Sequence, residues 1–495
     1  MNVKAIVDLL NREYDADIDP SYYDLIEDWR QWWFGAVKTF HRVLEIDADG
    51  KKHTRDLYSM RMAKKICEDW ASYLLNEKTE ITVKDKASAK FLLGEDGLSG
   101  VLRDVDFWPE ANALVEKAFY SGTGAFVLKL DGLPVTEAGT VQRAGDVRIR
   151  MEYLPAMCIF PLTVQYHKIT EVAFASEAMV RGVTYIYLET HTLDDNGNYV
   201  IQNRYYKAEG NILTEADLPE GMAARINTGS PYPFFAVVRP NIVNPYRDSL
   251  GLGCAVYSQA IDNLKGVDIA YNNFNRDLWL GGKKVFYNRE LTQVMGNDAD
   301  GNPIYAPPDD VLQQLFVSVG DHYADGKDLV HEFNPALRVQ DNRDAVQAQL
   351  DYLSFKCGMG TRHYRFDGTG AGAAVTATQY TGEKQDLKQS AAKHGIVIDA
   401  AIQDIVRAIL WVGQNILGEA VDPETPVMVQ FSDGYITSDD EKRAQDISDV
   451  RDGLMQPWEY RVRWYGEDEA TAKAMTETQL PAFGEQEYPP GEDDA

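Results

Sequence analysis

The chain predicts an α+β fold, mainly helical, with long helices and an antiparallel sheet inserted between them. Three observations carry that prediction. Apolar residues recur at helical spacing through 250–280, 341–356 and 376–417. Between 147 and 208 the period drops to two. Residues 283–335, broken by Pro303, Pro307 and Pro308, form a compact insertion between the first two of those helices.

In chain order, 20–43 reads as an amphipathic helix carrying Trp29, Trp32, Trp33 and Phe34. This aromatic cluster either packs on the body or anchors a subunit interface. A helix follows at 60–76, with Met62, Ile66, Trp70, Tyr73 and Leu74 on one side, and then a short strand at 80–83. Residues 108–121 form another helix, and Gly122-Thr-Gly124 turns the chain into a strand at 125–130. Strands at 147–151, 173–175, 184–188 and 199–202 make the inserted sheet, separated by turns such as Asp194-Asp-Asn-Gly197. A proline-punctuated connection, 231–245, leads to the helix at 250–280.

That helix is capped by Asp248-Ser249 and ended by Gly281-Gly282. Its stripe is Tyr257, Ile261, Leu264, Val267, Tyr271, Phe274 and Leu278, with Asp262, Lys265, Asp268 and Arg276 opposite. The insertion has a strand at 284–287 and a turn at 298–301. After the helix at 341–356 comes a loop, 357–375, with five glycines between Gly358 and Gly372. The last helix places Leu387, Ala391, Ile398, Ile402, Ile405, Ile409, Val412 and Ile416 on one buried face. Its roughly forty residues would span roughly 60 Å. A compact domain has no use for a rod that long, so the helix is read as bracing a large assembly and holding the loop before it out to touch something. A strand at 426–431, a helical tail from 438 and a disordered acidic end, 488–495, complete the chain.

With 495 residues and 44% hydrophobic content the chain can bury several cores, about three domains by length. Lys plus Arg number 49 against 77 Asp plus Glu, a formal charge of −28. Such a surface repels phosphates on average, which excludes DNA binding through a broad basic footprint. It suits a protein that must let DNA pass without gripping it. The four cysteines, Cys67, Cys158, Cys254 and Cys357, form no CxxC pair and read as buried thiols of a reduced protein. The opening residues lack the apolar core of a signal peptide, and 395–413 carries Asp399, Asp404 and Arg407, which argues against a membrane span. The expectation is a soluble, intracellular protein with no membrane partner.

No catalytic constellation emerges. There is no HExxH, no GxSxG and no P-loop, and the eight histidines show no metal-ligand spacing. Catalytic residues, metal and cofactors are therefore all read as none. Asp194-Asp195 and Asp439-Asp440-Glu441 read as solvated turns or helix starts, with Asp439 as a cap for the tail helix. Gly368-Thr-Gly370-Ala-Gly372-Ala373 fits a loose dinucleotide fingerprint after a possible strand at 362–366. The ribose-binding acid expected about 20 residues on is missing, because the chain is helical there. Backbone freedom is the better account of these glycines. The same loop carries Arg362, His363 and Arg365 in an otherwise acidic chain. They either pair with acids on a neighbouring element or contact a polyanion.

The order of parts resembles the portal proteins of long-tailed (siphovirus-type) bacteriophages over nearly the whole chain. The matching pieces are Arg61-Met-Ala-Lys-Lys-Ile-Cys-Glu-Asp-Trp-Ala-Ser-Tyr-Leu-Leu75 before a short strand, and Ala118-Phe-Tyr-Ser-Gly-Thr-Gly-Ala-Phe126. A third is Asn244-Pro-Tyr-Arg-Asp-Ser-Leu-Gly251 leading into Ile261-Asp262, and a fourth is Thr376-Ala-Thr-Gln-Tyr380 before Lys393-His-Gly-Ile-Val-Ile-Asp399. No single piece is as specific as a metal motif; their order and spacing together carry the likeness.

The resemblance implies a phage portal fold of wing, stem, clip and crown. The wing would be 1–250 with the long helix and strand at 377–435. The stem would be 251–282 and 336–357, the clip 283–335, the tunnel loop 358–376, and a short crown with acidic tail 436–495. It implies a non-enzymatic ring, twelve subunits at one capsid vertex of the virion, assembled in the host cytoplasm. Double-stranded DNA would pass through the channel during packaging and ejection. The implied partners are the terminase large subunit, the head–tail adaptor, and the major capsid and scaffolding proteins. Arg362, His363, Arg365, Gly368, Gly370 and Gly372 would form the DNA-contacting tunnel loop, Lys265 and Arg276 the stem cations, and Lys283, Lys284 and Tyr287 the clip's docking residues. The crown is short, and the stem carries fewer lysines than several family members, which puts head-filling gauging and stem contacts in doubt. Two other readings stay open: a phage connector or tail component that never meets DNA, and a nucleotide-binding enzyme using the turn at 368–373.

Overall fold

The computed structural model describes residues 2–46, 50–76, 78–95, 99–246, 251–287, 294–305, 316–318, 330–361, 363–365, 377–431 and 439–478. The chain divides into two compact units, Met1–Phe431 and Ser432–Ala495.

The first unit begins with α1 (Val3–Tyr14) and α2 (Pro20–Phe34). Asp19 accepts the Ser21 N–H, Pro20 supplies a helical φ at the first turn, and Gly35 at φ 77° ends α2. The helix is thus shorter than the predicted 20–43; a short α3 (Lys38–His41) and an exposed hairpin, β1 (Arg42–Ile46) and β2 (Lys52–Asp56), follow it. Trp29 and Trp32 are buried, and Trp33 stacks on Tyr120 with centroids 4.6 Å apart, so these indoles are core. Phe34 alone of the cluster is mostly exposed.

Next come α4 (Met62–Leu74), β3 (Glu80–Val83), α5 (Lys86–Leu93), α6 (Val101–Asp104) and α7 (Phe107–Ser121). The sheet region is two sheets rather than one. In the first, β4 (Gly124–Asp131) lies between β5 (Arg148–Pro155) and β12 (Phe235–Val238), all antiparallel. The second runs β10 (Ile212–Ala216), β9 (Tyr199–Glu209), β8 (Val183–Leu193), β7 (Lys168–Val180), β6 (Ile159–Gln165), with β11 (Arg225–Asn227) also on β9. The proline-punctuated connection at 231–245 therefore hides β12, whose Phe235, Ala236 and Val238 are buried.

The predicted helix at 250–280 starts later, as α8 (Ile261–Leu280). Residues 252–257 before it are buried non-helical chain. A Cβ on Gly122, at φ 83°, would lie 2.2 Å from the Gly253 carbonyl oxygen. That close approach demands glycine and holds this segment against the end of α7. Leu264, Val267 and Asp268 of α8 are buried, and no residue after Asp268 is. Asp268, placed on the polar side from the sequence, is only 4% exposed.

The insertion contains β13 (Lys284–Tyr287), β14 (Val294–Asn297), β15 (Pro303–Tyr305), β16 (Phe316–Ser318) and β17 (Val330–Phe333). Strand β13 pairs antiparallel with β17 and parallel with β16, so the first and last described strands of the insertion lie side by side between α8 and α9 (Val339–Lys356). Helices α8 and α9 are antiparallel. Asp277 receives hydrogen bonds from Arg338 at 2.5 Å and Asn342 at 2.8 Å, while a Cβ on Gly266 would meet the Gln349 side chain.

The long helix is α10 (Ala377–Val412), 36 residues, or roughly 54 Å at 1.5 Å per residue. Its far half is not merely striped. Ala401, Ile402, Ile405, Val406, Ala408, Ile409 and Leu410 are all buried, because other elements surround it. A single π-turn, Gly413–Leu417, continues it to Gly418 in the left-handed region. Strand β18 (Val427–Gln430) then pairs with β3, joining segments more than three hundred residues apart.

The second unit holds α11 (Asp439–Arg451), α12 (Pro457–Tyr465) and α13 (Glu469–Thr478). Polar contacts hold it: Asp446 accepts from Arg463 at 3.0 Å and from the Trp464 indole at 2.7 Å, and Lys473 lies 4.4 Å over the Trp458 ring. The side chain of the predicted cap Asp439 and the acidic end at 488–495 lie outside what is described.

Candidate functional site

The site begins where α9 ends. Cys357 closes the helix, and Gly358 and Gly360 take φ of 79° and 78° to turn the chain back. A Cβ on Gly358 would sit 3.0 Å from Ser390 Oγ on α10 and 3.5 Å from the Trp70 ring on α4, so glycine is needed there. The Trp70 indole, fully buried, donates to the Cys357 carbonyl at 3.2 Å. His394 of α10 lies edge-on to Trp70 and Phe119, at 4.9 and 5.0 Å between centroids. It accepts the Asn241 N–H at Nδ1, 2.9 Å. Burial pushes its pKa down to about 4, so the ring is neutral at pH 7. Four distant stretches of sequence thus meet beneath the loop.

Among the predicted loop residues, the structure describes His363 and Arg365. Arg362, Gly368, Gly370 and Gly372 lie outside the described residues. The His363 side chain is 8% exposed and faces Asp69 of α4 across 3.8 Å. Tyr364 donates to the same carboxylate at 2.9 Å, and Lys65 pairs with it from one turn earlier. Of the two sequence readings for His363, an acid on a neighbouring element does lie within reach of its ring. Arg365 is exposed. Residues 363–365 are not a strand, which removes the strand that a dinucleotide fingerprint would need before its glycines.

The other predicted residues are scattered. Lys265 pairs with Asp262 at 2.9 Å on its own helix, and Arg276 is exposed on the half of α8 beyond Asp268. Lys283 pairs with Glu332 across the β13–β17 seam at 2.9 Å, Lys284 opens β13, and Tyr287 ends it. Sequence reasoning missed Asp69 and Tyr364, and gave Asp268 the wrong surroundings. Nothing local marks Asp69, which sits 295 residues from its Tyr364 partner.

Among the described residues no group of His, Cys, Asp and Glu is placed to hold a metal ion, and no helix is long and apolar enough to cross a membrane. The cysteines are free thiols, three of them buried. Among the described residues a cleft of about 630 Å³ lies between β4 and the β8–β9 pair, with Glu189 and Asn203 in its lining.

No protein-family model matches this chain, and no curated protein matches it. Among solved structures it is similar to a chain in the neck of a native GTA particle computed with C12 symmetry. The identity is 11%, the overlap covers 81% of this chain and 88% of that one, and the TM-score is 0.34. A likeness at that score carries no inference about function.

Proposed function

We propose that the chain is the portal protein of a long-tailed bacteriophage, a non-enzymatic subunit whose copies close into a ring at one capsid vertex. Double-stranded DNA is packaged and ejected through its channel, with twelve copies in the virion. The terminase large subunit and later the head–tail adaptor dock on it, and the capsid and scaffolding proteins surround it. It binds no membrane and is assembled in the host cytoplasm.

The observation that carries this reading is the antiparallel pair α8 and α9. The pair brackets an insertion whose first and last described strands pair, and it is followed in the chain by the glycine-rich segment and the 36-residue α10. This is the stem, clip, tunnel loop and wing order that the sequence resemblance implies. The pair also leaves Ile269, Trp279, Leu280, Val339, Tyr352 and Phe355 more than 40% exposed, a load of apolar surface suited to burial against further copies. The acidic charge of −28 suits a conduit along which DNA slides.

A second reading, a connector or tail component that never meets DNA, is favoured by one observation: His363 faces Asp69 rather than solvent. Light scattering and negative-stain images of the purified chain separate the two. A ring whose axial channel admits a duplex supports the portal; a ring with a closed or narrower bore supports the connector. A 55.6 kDa monomer under all conditions overturns both.

A further inference from the structure

Asp69 sits in the second half of α4 with its side chain 16% exposed, and two residues of the segment after α9 converge on it. Tyr364 Oη donates to Oδ2 at 2.9 Å, and His363 Nε2 lies 3.8 Å from the same oxygen. Lys65 takes the other oxygen. The Tyr364 hydroxyl also lies 3.1 Å from Met359 Sδ, and its backbone carbonyl accepts from Gln347 of α9 at 2.7 Å. Backbone hydrogen bonds hold this segment where it leaves α9: Cys357, Gly358 and Met359 donate to Leu353, Phe355 and Ser354. Among the described residues, side chains do the rest, and Asp69 is the acceptor on which they meet.

The arrangement is also incomplete. Among the described residues His363 Nδ1 is buried with no hydrogen-bond partner, which costs free energy that opening would recover. Proteins open locally below the global unfolding free energy, and here such an opening works against the burial of Met359 and Tyr364. We propose that Asp69 is the positioning residue of this segment: it latches His363 and Tyr364 onto α4, fixes where Arg365 is presented, and can release them without unfolding the body. What Arg365 faces rests on the portal reading; the latch does not.

Among the described residues the charged and titratable groups facing the carboxyl are Lys65, His363 and Tyr364, with Tyr73 and Cys357 beside the tyrosine hydroxyl. Burial pushes the Asp69 carboxyl up, but the His363 ring 3.8 Å away and the hydrogen bonds from Lys65 and Tyr364 outweigh it and hold the group below the ordinary aspartate range. A carboxylate lowered in the folded state stabilises fully above its unfolded value, and that contribution disappears as pH falls through its folded value. Acid therefore loosens the latch.

Hydrogen–deuterium exchange of the full-length chain reads this directly, in peptides covering 357–365. Asp69→Ala and Tyr364→Phe should each raise exchange there about tenfold or more, the loss of a charge-assisted hydrogen bond, while exchange in α10 stays put. Asp69→Glu should restore part of the protection, and Asp69→Asn should flatten its dependence on acid. Wild-type exchange in both Asp69→Ala and Tyr364→Phe overturns the proposal, as does a rise spread through α4 and α10. If Asp69→Ala does not fold, Tyr364→Phe decides alone by the same criterion. The measurement needs neither DNA nor a ring, so imaging the same preparation tells a failed latch from a failed portal reading.

Discussion

His41 Nε2 lies 2.9 Å from Asp268 Oδ2, tying α3 to a helix 227 residues further along the chain. The Val37 N–H donates to His41 Nδ1 at 2.9 Å, so the ring proton sits on Nε2 and points at the carboxylate. Asp268 also accepts the Met60 N–H at 2.7 Å and the Ser59 hydroxyl at 3.1 Å. One turn on, Asn272 exchanges hydrogen bonds with the Tyr58 backbone at 2.9 and 2.7 Å. The start of α8 is thus fastened to the N-terminal body by two polar side chains on one helical face.

Asp268→Ala leaves the Met60 N–H and the His41 ring buried without an acceptor, and we expect a loss of about 3 kcal/mol or more. Asp268→Asn should cost less, because its carbonyl still serves Met60 while its amide opposes the imidazole N–H. Thermal denaturation of both variants checks this; a wild-type midpoint in Asp268→Ala would contradict it.

The Glu189 carboxylate, with its side chain 3% exposed, pairs with Lys129 and His191, the latter at 2.7 Å, and accepts the Tyr187 hydroxyl at 2.6 Å. Burial alone would raise its pKa; the Lys129 ammonium and the His191 imidazole overcome that and hold it well below the usual carboxylate range. Lys129→Met strands the charge, and we expect a loss of about 3–5 kcal/mol by chemical denaturation. Adding Glu189→Gln should recover part of that loss. A double variant no more stable than the single one would show that the charge is not the cause.

His394 predicts an acid-sensitive core. Its folded pKa of about 4 lies below the unfolded value of 6.5, so the unfolded chain binds the extra proton and stability falls as pH drops through that window. The total is about 3 kcal/mol at 1.36 kcal/mol per pH unit. His394→Asn keeps an acceptor for the Asn241 N–H and removes the titration, so its melting profile between pH 7 and pH 4 should be flatter than wild type. Parallel profiles would assign the acid sensitivity elsewhere.

Trp279, 70% exposed near the end of α8, is a test of the subunit surface. Trp279→Asp should leave helix content unchanged and shift the particle to lower mass by light scattering, by the rule that buried aromatic anchors dominate interfaces. An undiminished particle would remove this face of the stem from the interface.

The helices and their order were legible in the sequence because apolar side chains at helical spacing record which face is buried. That is how α4, α9, α10 and the α8 stripe at Leu264 and Val267 were visible. Charge and glycine content located the segment after α9. Three things were not legible, and each depends on contacts between residues far apart. Strand β12 lay hidden among prolines until β4 gave it a partner, and β18 found β3 across the length of the first unit. Asp268 sits on a helical position that periodicity marks as polar, yet His41 and Met60 arrive from elsewhere and bury it. His363 was one of three basic candidates, and nothing in the sequence placed Asp69 opposite it. Periodicity reports how much of a side chain is covered; only tertiary structure decides by what, because hydrogen bonds and ion pairs depend on distances that sequence separation does not encode.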